Sequence, residues 1–231
     1  MKRTLKITLI IMLVIIGGVF SLIRLPSPLF YHDYSTVVLD QDDNYLRVFL
    51  NENEQWCFPP DEDRVPLKLK TAVTTYEDKR FYKHQGVDLI ALGRAIIANL
   101  KAGEVVSGAS TITMQVARLS RPKDRTIPNK VIEMVQAVKL DLKYNKEEIL
   151  KLYLTHAPYG GNIIGYKGAS FRYFGKKPEQ LTWAEVATLA VLPNNPAYVN
   201  PMQRRDRLKE KSVDLLKDLY DHNFIDKENY Q

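Results

Sequence analysis

The chain has 231 residues, of which 45% are hydrophobic and 26% are charged. This composition excludes a disordered chain, because it supplies enough apolar side chains for the core of one medium domain or two small ones. The single cysteine, Cys57, excludes an internal disulfide, and no Cys or His cluster has the spacing of a zinc site.

An apolar run stands at the start of the chain. Residues 7–23 carry no charge, and a run of this length can cross a bilayer as a helix. Lys2, Arg3 and Lys6 precede it, so residues 1–6 are predicted to be a cytoplasmic tail and the rest to lie outside the cytoplasm. A cleaved signal peptide has the same charge order, but the run exceeds a usual signal core and no cleavage site follows it. We therefore predict an uncleaved transmembrane anchor.

The anchor changes how the net charge of +6 is interpreted. A positive domain at a membrane surface attracts anions there, so lipid headgroups and lipid-linked phosphates are the expected partners. Nucleic acid is not expected as a partner, because no nucleic-acid-binding motif is found.

Residues 24–59 are predicted to form a stalk or a short β segment. Two β-favouring stretches, 35–39 and 45–50, flank the turn-forming residues 41–44, and this pattern predicts a hairpin.

Residues 60–225 are predicted to form one mainly α-helical domain. The first helix is predicted to begin at Pro66 and to end at Gly86. Further helices are predicted at 88–102, 111–120, 128–144, 146–155, 182–192 and 204–221. The segments between them, including 156–168, are rich in Gly, Pro and Asn and are predicted to be loops.

Glu77 is the first candidate for a chemical role. On a helix that continues to Gly86, the side chains of Val73, Phe81 and His84 share its face. Apolar neighbours of this kind suit a carboxylate to general-base work near neutral pH. The alternative, an ordinary half-exposed glutamate, stays open at this point.

A loop with small side chains, 107–111, leads into the next predicted helix, with Ser110 or Thr111 as its N-cap. Free N–H groups at a helix start can hold a phosphate. Five cations follow the loop and could serve a diphosphate, although a solvated basic segment would have the same composition. They are Arg118, Arg121, Lys123, Arg125 and Lys130.

The helix predicted after Thr126 and Pro128 is apolar on nearly all sides, which is typical of a buried helix. Glu133 lies within it. A buried carboxylate needs a partner or a function, so either a structural ion pair or a functional role is expected.

Four stretches in this order resemble the motifs of the peptidoglycan glycosyltransferase family, found in class A penicillin-binding proteins and monofunctional transglycosylases. They are EDKRFYKHQG (77–86), GASTITMQ (108–115), NKVIE (129–133) and KEEILKLYL (146–154). The stretches SGASTITMQVAR, HAPYGG and ASFRYFGK are most similar to the 1C subgroup. The resemblance runs from about residue 60 to 205, and it implies a lysozyme-like helical glycosyltransferase domain behind an N-terminal transmembrane helix.

The resemblance also implies the reaction. Glu77 would take the proton from the 4-hydroxyl of lipid II, and a lipid-linked glycan strand would be the donor. Glu133 would serve the leaving diphosphate, with a divalent cation such as Mg²⁺ or Mn²⁺ as the cofactor and no organic cofactor. The implied substrate-binding residues are His84, Ser110, Thr111, Gln115, Arg118, Arg125 and Lys130.

The location and partners follow from the same resemblance. We expect a single-pass protein of the bacterial inner membrane with its catalytic domain on the extracytoplasmic side. Its expected partners are lipid II, the lipid-linked glycan strand, the membrane and other cell-wall synthesis proteins. Because relatives often carry a transpeptidase domain, we expect the chain to be a fragment that stops before one, with a short monofunctional enzyme as the alternative.

Two further functions stay open. An inactive scaffold is suggested by Asn129, where relatives usually carry arginine, and by Thr155 and His156, where asparagine is usual. A lytic glycan-cleaving enzyme could also place a glutamate beside apolar groups. The cations from Arg118 to Lys130 argue against that function, because an uncharged glycan offers them no anion.

Overall fold

The structure is a computed structural model that describes residues 17–18, 20–31, 33–60, 64–193 and 205–230. The predicted tail, 1–6, and most of the predicted anchor, 7–23, lie outside the described residues. Among the residues that are described, no helix combines the length and the apolar character that crossing a membrane requires.

The predicted hairpin is present. Strand β1 (Thr36–Leu39) pairs antiparallel with β2 (Tyr45–Phe49). The Asp40 carboxylate accepts the backbone N–H groups of Asp42 and Asn44, each at 2.8 Å. These bonds close the turn, since an aspartate side chain can replace the backbone carbonyl of a tight turn.

The prediction of a mainly α-helical chain is confirmed. The helices are α1 (Leu67–Glu77), α2 (Leu89–Ala102), α3 (Ile112–Ser120), α4 (Ile127–Lys143), α5 (Lys146–His156), α6 (Tyr166–Phe174), α7 (Trp183–Val191), α8 (Arg205–Asp221) and α9 (Lys227–Tyr230). Several begin at a polar N-cap whose side chain accepts a first-turn N–H, which stabilises the helix start. These caps are Asp88, Thr111, Thr126, Asn145 and Thr182.

The core lies between α1, α3, α5 and α7. Helix α1 packs against α7 and α8, while α3 packs against α4 and α5. Buried side chains from each central helix meet there, including Val73, Val116, Leu150 and Leu189. This packing places the end of α1 beside α3.

The first helix is shorter than predicted, because it ends at Glu77 rather than at Gly86. Asp78 has a φ of −159° and a ψ of 77°, which are not helical angles, and a short 3₁₀ turn follows at Phe81–Lys83. The predicted helical face that joined Glu77 to Phe81 and His84 is therefore wrong.

The prediction that the helix carrying Glu133 is buried on nearly all sides is also wrong. Ile127, Val131 and Leu142 are exposed on α4. Its buried residues are Gln136, Ala137 and Leu140. Within the described part of the chain only one side of this helix is packed, so the apolar residues on its other side are exposed there.

The segment 156–168, predicted to be a loop, contains ordered structure. Strand β4 (Ile163–Ile164) pairs parallel with β3 (Trp56–Cys57). Helix α6 then begins directly after Gly165, whose φ is +83°. A Cβ at Gly165 would overlap the carbonyl of Thr155. The position therefore needs glycine because of a packing contact, which the composition of the segment does not reveal.

Candidate active site

Glu77 is the last residue of α1, and its carboxylate is held by a residue from α3. The Gln115 side-chain amide donates to Glu77 Oε2 at 2.7 Å. Gln115 is buried, so its amide has little freedom to turn away. The structure thus brings together two predicted site residues that lie on different helices.

Asp78, the residue after Glu77, joins the end of α1 to the start of α3. Its carboxylate lies 3.0 Å from His84 Nε2 and accepts the backbone N–H of Ile112 at 3.1 Å. The His84 side chain is only 5% exposed. His84, predicted to bind substrate, therefore lies in the interior beneath the turn that carries Glu77.

Gly86 joins the same turn to two further helices. The Thr111 hydroxyl donates to the Gly86 carbonyl at 2.6 Å and accepts the N–H of Met114 as the N-cap of α3. On its other side Gly86 lies so close to α4 that a Cβ would overlap the carbonyl of Ala137. The segment 77–86 is thereby fixed between α3 and α4.

Lys130 connects the loop before α3 to Glu133. Its ammonium group donates to Ser110 Oγ at 2.7 Å and to Glu133 Oε2 at 3.1 Å. The Glu133 side chain is 15% exposed. An ion pair or a functional role was expected for Glu133, and the ion pair is present. Through Lys130 it is connected to the loop that contains Ser110.

Glu77 and this loop share one cavity of about 280 Å³. The loop side is formed by residues 108–111, and Lys79, Arg80 and Arg94 add positive charge to the wall. Sequence reasoning missed Arg80 and Arg94. Arg94 follows Ala91 by one helical turn on α2, and a search for polar residues opposite the apolar stripe of that helix would have found it.

Arg118 and Arg125 differ in placement. Arg118 is half-buried on α3, and Arg125 is exposed in the segment between α3 and α4. Neither lines the cavity that contains Glu77. The substrate roles predicted for them stay predictions.

Two buried tyrosines have pKa values to which the charge of Glu77 contributes. Tyr153 from α5 and Tyr159 from the following segment are fully buried. Burial raises the pKa of Tyr153 well above its usual value, and the nearby charge of Glu77 raises it further. Burial also raises the pKa of Tyr159, with smaller contributions from Tyr166 and then Glu77. Neither tyrosine was identified as a candidate from the sequence, because the motif that contains Tyr153 has the apolar pattern of ordinary core residues.

The comparison with known families decides the family. The model described as "Transglycosylase" matches residues 42–220. The chain belongs to this family.

Individual relatives agree with that result. The chain is 39% identical to penicillin-binding protein 1C of Escherichia coli over 81% of its length, and 33% identical to penicillin-binding protein 1F of Bacillus subtilis over 83%. It spans 24% and 26% of these two proteins, respectively. The crystal structure of penicillin-binding protein 1A from Haemophilus influenzae aligns with 87% of this chain and 20% of its own, at 22% identity and a TM-score of 0.47.

The positions that depart from the family pattern have local structural roles. The Asn129 side chain donates to the carbonyl of Asp124 at 2.9 Å. Thr155 and His156 are buried at the end of α5, where the His156 ring stacks on Phe30 at 3.7 Å. None of these three lines the cavity with Glu77, so they give little support to an inactive scaffold.

The site offers few ligands for a metal. Within the described residues there is no group of three or more His, Cys, Asp or Glu side chains that could hold one. Glu133 brings a single carboxylate, which Lys130 already contacts. With the Glu133 carboxylate as its protein ligand, Mg²⁺ would also need the phosphate oxygens of a substrate as ligands.

An exposed apolar face lies on the same helix as Arg94. It consists of Leu89, Ile90, Ile96, Ile97 and Leu100 on α2 together with Val105 and Val106 in the next loop. Leu100 is 78% exposed and Val105 is 88% exposed. The Asn99 side chain accepts the N–H groups of Val106 and Ser107, which holds this loop against α2. An apolar surface of this extent is typical of a contact with a partner or a membrane.

Proposed function

We propose that the chain polymerises lipid II into β-1,4-linked glycan strands and releases undecaprenyl diphosphate, as an inverting glycosyltransferase. One observation carries the proposal: the Glu77 carboxylate lines the same cavity as the loop 108–111. Lys130 connects that loop to Glu133. Glu77 thus lies beside this polar loop, and Glu133 is connected to the same loop through Lys130, which supports a displacement reaction with one carboxylate at each end.

Glu77 acts as the general base. It takes the proton from the 4-hydroxyl of the acceptor sugar while that oxygen bonds to the anomeric carbon of the donor strand. The bond from this carbon to the lipid diphosphate breaks on the opposite face, and the diphosphate leaves with the electron pair. The bond from Gln115 supports this role, because a base must be held in hydrogen-bonding reach of the proton that it takes.

The diphosphate lies on the side of Ser110 and Lys130. The Lys130 ammonium already contacts Ser110, and charge-assisted bonds of this kind suit phosphate oxygens. Arg118 and Arg125 supply further cations from α3 and from the segment after it. Glu133 keeps Lys130 in place and would hold a divalent cation such as Mg²⁺ together with the diphosphate, where the ion would neutralise the leaving charge.

The membrane is part of this proposal, because both substrates are lipid-linked. The apolar face of α2 contacts the bilayer, and Ala91 and Arg94 on the same helix line the cavity. The site therefore opens close to the lipid surface. We place the protein in the bacterial inner membrane with this domain on the extracytoplasmic side, together with other cell-wall synthesis proteins.

The test is a lipid II polymerisation assay with the full chain in detergent, with and without Mg²⁺. We expect glycan strands from the wild type and a loss of about 10²-fold to 10⁴-fold in rate for Glu77→Gln, which removes the base while keeping the shape of the side chain.

The matched control is Glu210→Gln, because Glu210 is exposed on α8 and should leave the rate unchanged. If Glu77→Gln polymerised lipid II at the wild-type rate, Glu77 would not be the base. Soluble fragments released from purified cell wall would instead identify a lytic enzyme.

A further inference from the structure

Lys146, the first residue of α5, contacts both the segment 77–86 and the end of α4. Its ammonium group donates to the backbone carbonyl of His84 at 2.7 Å and to Asp141 Oδ1 at 2.6 Å. The same group lies 4.8 Å from the centre of the Phe81 ring. The Lys146 side chain is 21% exposed and that of Asp141 is 7% exposed, so these contacts are largely shielded from water.

The charges of Lys146 and Asp141 are unfavourable for the helices that carry them. Lys146 begins α5, and Asp141 lies in the last turn of α4. The N-terminal end of a helix carries a partial positive charge and the C-terminal end a partial negative charge. A lysine at the first end and an aspartate at the second are therefore both repelled. The favourable interactions of these two side chains are with each other and with the segment 77–86.

Lys146 thereby joins the two parts of the chain that carry the carboxylates of the site. His84 belongs to the segment that begins with Glu77, and Asp141 lies eight residues after Glu133 on α4. Both bonds of the ammonium group are charge-assisted, which makes them stronger than bonds between neutral groups. Their shielding from water strengthens them further. One cation thus fixes the segment that carries the first carboxylate against the helix that carries the second.

We propose that Lys146 is a positioning residue that sets the spacing between Glu77 and Glu133. Its importance for the reaction rests on the proposed function, in which these two carboxylates serve the two ends of the displacement. Lys146 does not line the cavity that contains Glu77. It therefore acts on the geometry of the site rather than by contact with the substrate.

Other contacts hold the same elements, and a substitution of Lys146 leaves them in place. Gly86 and Thr111 fix the segment 77–86 through their own bond at 2.6 Å. Asn145 and Glu148 form a capping box at the start of α5, so the start of this helix does not depend on Lys146. Lys146→Met keeps most of the apolar stem of the side chain and removes the ammonium group, which makes it the variant of choice.

The experiment measures kcat and KM for the polymerisation of lipid II by the full chain in detergent. A misplacement of about 1 Å can cost about 10²-fold in rate, so we expect Lys146→Met to lower kcat by about 10-fold to 100-fold. KM should stay within about twofold, because the groups that line the cavity are unchanged. Asp141→Asn should lower kcat less, since the bond to the His84 carbonyl remains. Adding it to Lys146→Met should cause no further loss, because the two residues act as one unit.

A second measurement needs no turnover. Hydrogen exchange of the backbone amides reports local opening of a segment. We expect faster exchange in the segment 77–86 of Lys146→Met than in the wild type, with unchanged exchange in α7. An inactive wild type would contradict the proposed function, while the exchange rates would still decide whether Lys146 holds this segment.

The matched control is Lys83→Met, which removes the same charge from an exposed lysine of the same segment and should leave kcat and the exchange rates unchanged. Equal kcat values and exchange rates for Lys146→Met and Lys83→Met would overturn the inference. Independent, multiplying losses in the double variant with Asp141→Asn would also overturn it. If Lys146→Met does not fold, Asp141→Asn decides, and wild-type kcat and exchange in that variant would contradict the inference.

Discussion

At the scale of single residues, the properties of Glu77 come from partners far along the chain. The sequence suggested apolar neighbours on one helix, Val73 and Phe81. The structure instead ends the helix at Glu77 and supplies the Gln115 amide, 38 residues away. The identity of the candidate base could be predicted from its motif, but its environment could not.

Asp88 offers a test of electrostatics at the edge of the site. Desolvation alone would raise the Asp88 pKa, but the N–H groups of Ala91 and Ile90 and the Arg80 guanidinium outweigh it, so its pKa lies below the usual 3.8. A carboxylate with a lowered pKa stabilises the folded state above its unfolded pKa, and this contribution is lost as the pH falls through the folded value.

We therefore expect Asp88→Asn, which keeps a side-chain oxygen for the helix cap, to lower the melting temperature at pH 7. The expected loss is about 2–4 °C, as roughly 1 kcal/mol gives in a chain of this size. The difference from the wild type should shrink as the pH falls below 3.8. Calorimetry at several pH values measures this, and a difference that is equal at pH 7 and pH 3 would exclude a role for the charge.

At the scale of elements, Gly86 allows the first motif to lie against two helices at once. Its φ of +83° is unfavourable for other residues, and a Cβ there would overlap the backbone of Ala137. We expect Gly86→Ala to destabilise the fold by about 2–5 kcal/mol and to reduce polymerisation, because α4 must move. Thermal unfolding measures the first effect.

The matched control for this prediction is Gly93→Ala on α2. A Cβ at Gly93 meets nothing within 4 Å, and alanine is the better helix former. Gly93→Ala should therefore stabilise the chain by about 0.5–1 kcal/mol. Equal effects of the two substitutions would contradict the close approach of Gly86 to α4.

Elements with local signals were predictable, and those that depend on distant contacts were not. Thr111, one of the two caps offered by the sequence, begins α3, and Thr126 caps α4 close to the start predicted for that helix. Helix α6 was missed because its sequence contains Gly168 and four aromatic residues, which are weak helix formers. Close packing of Gly168 against the backbone of Trp56 shows that the surroundings of this helix, rather than its own propensity, accommodate it.

At the scale of the whole molecule, the proposed bilayer contact of the apolar face of α2 can be tested directly. A nitroxide label on Leu100→Cys, in the full chain in lipid vesicles, tests this, since Cys57 is buried. We expect the label to collide more often with oxygen dissolved in the bilayer than with a water-soluble nickel chelate. Leu100 is 78% exposed and lies on the apolar face, so the proposed bilayer contact would bury it.

The control label is placed on Leu46→Cys in strand β2, which is also exposed but lies outside the apolar face. It should be reached mainly by the nickel chelate. Equal access of the chelate to both labels would place α2 in water and would remove the membrane contact from the proposal.

The helical class, the order of the four motifs and the candidacy of Glu77, Glu133 and Lys130 could all be read from the sequence, because periodicity, caps and motif spacing are local properties of a chain. The contact of Gln115 with Glu77 and the connection of Ser110 to Glu133 through Lys130 depend on tertiary packing. These contacts join segments far apart in sequence, and they exist because the packing of α1, α3, α4 and α5 brings the segments together.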